Sequence, residues 1–132
     1  MSTQERRHPD DADVLVRGPF ECAETDDAGA VVEAIADPRA REVLAAARQP
    51  ATAAELADRC GLSSSTLYRK LDELRDAGLL AVQNEIRTDG CHAARFRTAV
   101  DETHVSVDDG GLSVSVDRAP DVRTRATLPD GR

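Results

Sequence analysis

Two rhythms of apolar and polar residues divide the chain. Between about residues 38 and 77 the period is helical. Val43 and Leu44 with Ala40 and Ala47 form one stripe, and Leu56 and Cys60 recur at i, i+4. Leu67, Leu71 and Leu74 recur at i, i+4, i+7, the spacing that places side chains on one face of a helix. After residue 80 the period falls to two. Ala94, Phe96, Thr98 and Val100 alternate with Arg95 and Arg97. Further on, Val105, Val107, Leu112, Val114 and Val116 alternate with short polar residues, as half-buried strands do.

Local signals set the boundaries. Asp37-Pro38 offers a capping acid and a first-turn proline, so a helix starts there and runs to about Arg48, closed by Pro50. Val31, Val32 and Ile35 form an apolar lead-in to it. Thr52-Ala53-Ala54-Glu55 is a capping box for a short helix over Ala53 to Cys60, and Gly61 ends it. Ser63 caps a third helix that stops at Ala77-Gly78. A strand is expected from about Leu80 to Arg87, marked by Val82 and Ile86, then a turn at Thr88-Asp89-Gly90 and a return strand to Val100. A second hairpin follows, turning at Asp108 to Gly111, with all its apolar residues on one face that needs a cover. Residues 1–28 and 118–132, with their prolines and scattered charge, are expected to lack fixed structure. The organisation expected is therefore 1–28 disordered, 29–100 the folded domain, 101–117 a C-terminal hairpin, and 118–132 a disordered tail.

Composition narrows the function. The chain has 132 residues, the size of one domain. Its longest apolar run is Val43 to Ala47, too short for a membrane span. The first thirty residues hold no apolar core of a signal peptide, so a cytoplasmic protein with no membrane contact is expected. Three widely spaced cysteines without a CxxC give neither a disulfide framework nor a four-cysteine zinc site. The net charge is −8, and the acid lies at the two ends. Residues 29–100 hold ten acids and ten bases, so the folded part is neutral. Sixteen arginines accompany the single Lys70, and Asp outnumbers Glu 16 to 9. This acidic, Arg-over-Lys composition resembles the cytoplasmic proteins of extreme halophiles. A nucleic-acid binder is usually basic, so a binding surface here must be local.

The order helix, helix, short turn, helix, hairpin is a winged helix-turn-helix, an α+β fold, here with an added C-terminal β-hairpin. Its centre is Leu56 to Leu71. Ala57 is small where two helices cross, Gly61 turns the chain, Leu62 plugs the angle, and Ser63 satisfies exposed amides. With Leu67, Leu71 and Leu74 turned inward, the opposite side falls to Ser64, Ser65, Tyr68, Arg69 and Asp72. Short hydroxyls at a helix N-terminus allow close approach to a phosphate backbone. Tyr and Arg are long enough to reach base edges in a major groove. Thr52 to Leu80, ending in Leu71-Asp72-Glu73-Leu74-Arg75-Asp76-Ala77-Gly78-Leu79-Leu80, resembles the ArsR/MarR-type winged-helix transcription regulators. It is similar in particular to small helix-turn-helix regulators of halophilic archaea. The resemblance implies a homodimer that binds double-stranded DNA. It places Ser64, Ser65, Tyr68, Arg69 and Lys70 on the recognition helix, and Arg87, His92 and Arg95 on the wing with Arg97 further down it. No paired Cys or Cys/His box of the metal-sensing members occurs, so no metal or cofactor is expected.

Bland readings stand beside these. Cys60 reads as a small buried hydrophobe, and Cys91-His92 as an ordinary turn. His8 and His104 have no partner pattern and read as solvated. Ser63-Ser64-Ser65 has no base spaced to activate a nucleophile, and no acid/base or phosphate-loop constellation points to an enzyme. Asp72, Glu73 and Asp76 count against DNA contact unless they point along the flanks. Two other functions fit the same sequence. One is a winged helix used only for protein interaction. The other is a DNA-binding redox or metal sensor acting through Cys91-His92 or Cys22.

Overall fold

A computed structural model describes residues 14–24, 27–87 and 92–125, with the backbone path alone at 14–16, 87, 92 and 125. Strands β1 (Val14–Arg17) and β2 (Phe20–Ala23) precede four helices: α1 (Ala28–Ala36), α2 (Pro38–Ala46), α3 (Ala53–Cys60) and α4 (Ser64–Asp76). Strands β3 (Leu80–Arg87), β4 (His92–Thr98), β5 (Val100–Asp108), β6 (Gly111–Arg118) and β7 (Val122–Arg125) complete the α+β fold.

Capping residues explain the helical half. The Asp27 carboxylate accepts from the Ala30 amide and starts α1. The expected apolar lead-in is thus a helix of its own, which buries Val31 and Ala34. Asp37 ends α1 and caps α2, where Pro38 takes the first position. Thr52 and Glu55 close a reciprocal capping box at 3.2 and 2.9 Å, which satisfies two otherwise orphaned amides. Gly61 ends α3 at φ +65°. A side chain there has open space, so the requirement for glycine is conformational and not steric. Ser63 caps α4, and Leu67, Leu71 and Leu74 on it are fully buried. They join Val43, Leu56, Leu79, Leu80, Phe96 and many alanines in the core. With so few large side chains, close approach of helix backbones has to replace bulk.

Several arginines are consumed in holding the helical half together. The Arg41 guanidinium donates to the Ile35 carbonyl at the end of α1, and that of Arg59 to Ala46 and Gln49 at the end of α2. Arg118 reaches Gly78 just past α4. Cations at helix C-termini satisfy free carbonyls and complement the helix dipole.

The main sheet is wider than the sequence leads one to expect. β3 and β4 pair antiparallel from Leu80↔Thr98 to Ile86↔His92. Ala51, between α2 and α3, bridges Phe96 on the outer side of β4 at 3.0 and 2.8 Å. The opposite edge of β3 is occupied by β1 and β2 in succession, with Arg17 beside Glu85 and Glu21 beside Val82. Gly18-Pro19 interrupts this edge where proline has no amide to donate. β7 then pairs parallel to β2, Phe20 facing Val122. The expectation of disorder over 1–28 therefore fails for residues 14–23 and for the Asp27 cap, and that over 118–132 fails for Val122–Arg125. Each of these strands is four residues long, and its partner lies far away in sequence.

The edge also reverses the burial of β3. Val82 and Ile86 mark the strand in sequence, yet Ile86 is exposed, while Gln83 and Glu85 are buried. Glu85, 1% exposed, accepts from Arg17 at 2.9 Å. The Gln83 amide donates to the Gly18 carbonyl at 2.9 Å. Burial of these polar groups is tolerable because they bond to the β1–β2 edge.

Strands β5 and β6 form a separate two-stranded sheet. The turn is Asp109-Gly110, and Gly111 follows at φ +106°. Register pairs Thr103 with Val116, Val105 with Val114, and Val107 with Leu112. These residues therefore share one face. Val114 and Val116 pack onto the core, whereas Val107 is 77% exposed. The base of the hairpin is tied to the body through Ala99 to Leu79 and Ala119 to Ala99, both at 2.9 Å.

Candidate nucleic-acid interface

Helix α4 presents two unlike faces. Its three leucines are locked inward, so the outer side is fixed in direction by packing. Ser64 and Ser65 lie exposed in the first turn, and the Ser63 hydroxyl is used by the cap. Tyr68 is 54% exposed. Arg69 is exposed and makes no ion pair among the described residues. The first turn also carries the positive end of the helix dipole.

Lys70 departs from the expectation. Its ammonium ion-pairs with Asp37 at the α1–α2 junction and lies 3.7 Å from Glu73, and its side chain is only 15% exposed. The hydrogen bond from Lys70 holds the Asp37 carboxyl below its ordinary pKa, and the bond to Asp37 raises that of Lys70. Helical geometry explains this. Residue 70 lies about 60° from Leu67 around the axis, and residue 69 about 160°. Lys70 thus braces α4 against the preceding helices and is not on the outer face.

The expected strand residues fare unequally. Arg87 ends β3 and His92 begins β4, both at the turn end of the pairing, and their side chains lie outside the described residues. So does Cys91. Arg95 is half-buried and donates to the Pro50 carbonyl at 3.3 Å. Arg97 is held by Asp121 and lies 5.7 Å from the ring centre of Phe20. It braces β7 to the sheet and is not available for contact outside.

Acids on α4 limit the surface. Asp72, Glu73 and Asp76 are all exposed. Against them stand Arg69 and Arg75, the latter exposed seven residues after Tyr68 on the same stripe. Arg75 was not singled out in the sequence, although that i, i+7 spacing was the signal. The described thiols are unlike activated nucleophiles. Burial raises the pKa of Cys22, despite Arg118 at 2.9 Å, and burial also raises that of Cys60.

Residues 35–83 match the family described as a helix-turn-helix domain. The match spans α2, α3, α4 and the start of β3. The matched family is one of DNA-binding regulatory domains and not of enzymes. No curated protein matches the chain. Among the described residues no helix is long and apolar enough to cross a membrane.

Proposed function

We propose that the chain is a winged-helix transcription regulator of the ArsR/MarR type that reads a specific DNA sequence as a homodimer. The observation that carries the reading is the outer side of α4. Ser64, Ser65, Tyr68 and Arg69 are exposed beyond a left-handed glycine turn, on a helix whose inner face is anchored by three buried leucines. That is the arrangement by which a second helix enters a major groove. The hydroxyls and the amides of the first turn meet phosphate, and Tyr68 and Arg69 meet base edges. Arg75 takes the supporting role first given to Lys70. The β3–β4 hairpin is the wing that meets the DNA backbone or minor groove, and Arg87 and His92 are the residues proposed for that contact. A composition like that of halophile proteins fits such a regulator working at high salt. There, base contacts and shape outweigh counterion release.

Selection from a random pool of duplex DNA with the full chain tests this. Recovery of one motif with two related half-sites supports the reading. Recovery of no preferred sequence overturns it. The exposed acids of α4 favour a second reading, in which this face meets a protein. In that case the chain retards no duplex of any sequence.

A further inference from the structure

We propose that Glu102, His104 and Asp117 form a surface site for one divalent transition-metal ion. Glu102 and His104 are two apart on β5, and Asp117 on β6 is the register partner of Glu102. The ladder therefore projects all three from one face, opposite to the valines. One ligand atom from each lies within 4.8 Å of the others. His104 Nε2 is 3.2 Å from Glu102 Oε1 and 3.9 Å from Asp117 Oδ2. Ligands about 2.1 Å from one ion sit about 3.0–3.5 Å from each other. The first pair already has that spacing, and rotation of the exposed Asp117 side chain closes the second.

The chemistry of the set favours an ion over a simple ion pair. Two carboxylates directly opposite each other across a strand pair are destabilising. A dication held between them removes that repulsion, which a ring can do only while protonated. One imidazole and two carboxylates suit zinc, manganese, cobalt or nickel. The neighbours on this face, Ser106, Ser113 and Ser115, are short and leave the remaining positions to water. Two hydrogen-bonded strands form a stiffer base for ligands than a loop does. Bound metal would clamp β5 to β6 near the base of the hairpin.

Titration of the full, metal-free chain with zinc alone tests the site, with the imidazole 15N signals of its three histidines resolved. The prediction is that the His104 Nε2 resonance shifts and saturates at one zinc per chain. The double substitution Glu102→Gln with Asp117→Asn should weaken that saturation at least tenfold without changing the circular dichroism. A His104 resonance that stays in place while His8 or His92 shifts overturns the proposal. So does a double variant that binds as tightly as the parent.

Discussion

The inner and outer sides of α4 differ in how much of their geometry is decided by the chain itself. On the inner side, Leu67, Leu71 and Leu74 are buried and Lys70 is tied to Asp37. Every side chain there has a partner within the fold. On the outer side, Tyr68 and Arg69 are exposed, and Arg69 has no ion pair among the described residues. Two adjacent cationic residues, Arg69 and Lys70, thus have opposite fates. A turn of about 100° along a helix separates a brace from a probe. Basic character in a sequence is therefore a poor guide to a binding surface until the direction of each side chain is known.

Substitutions on the two sides should separate stability from binding. Leu71→Ala breaks the inner side and should destabilise the fold by about 2–5 kcal/mol, read from urea unfolding. Its DNA affinity should fall only as far as the folded fraction falls. Arg69→Ala should leave unfolding unchanged and weaken operator binding by about 1–3 kcal/mol, read by fluorescence anisotropy. Equal binding by parent and variant would remove Arg69 from the interface.

Lys70→Met sharpens the contrast. It should lower stability by about 1 kcal/mol or less and leave DNA affinity at the parental value. The pH dependence follows from the shifts at this pair. Folding depresses the pKa of Asp37, so that contribution is complete above the ordinary carboxylate value and is lost as pH falls through the depressed one. Folding raises the pKa of Lys70, so its contribution is complete below the ordinary lysine value and lost as pH rises through the raised one. Parent and variant should differ most between about pH 4 and pH 10 and converge in stronger acid. The smallest effect belongs to Asp72→Asn. Removing an outward acid should tighten DNA binding by about 0.3–1 kcal/mol, more at low salt than at high. For the parent, a steep fall of affinity with added KCl would contradict an interface that leans on base contacts.

The helical half was largely legible, because its signals are local. Asp37-Pro38, Thr52 with Glu55, Gly61 and Ser63 each act within four residues of their position. The strands at the two ends were not. Phe20–Ala23 and Val122–Arg125 are too short to show a period, and each finds its partner about a hundred residues away. Separation in sequence, though shorter, also hid the Lys70–Asp37 pair. The burial of Glu85 could not be read without Arg17 beside it. The cluster around His104 was within reach. The Asp108-to-Gly111 turn sets the register that places Glu102 opposite Asp117, and that arithmetic had only to be carried six residues further.

The central claim is that the outer side of α4 enters a DNA groove. Backbone amide shifts of the 15N-labelled full chain, followed as its selected duplex is added, test it most directly. The account predicts that the largest changes fall on Ser64, Ser65, Tyr68 and Arg69, with Val105 to Leu112 of the second hairpin undisturbed. Changes concentrated on that hairpin, with the start of α4 silent at saturation, would contradict it.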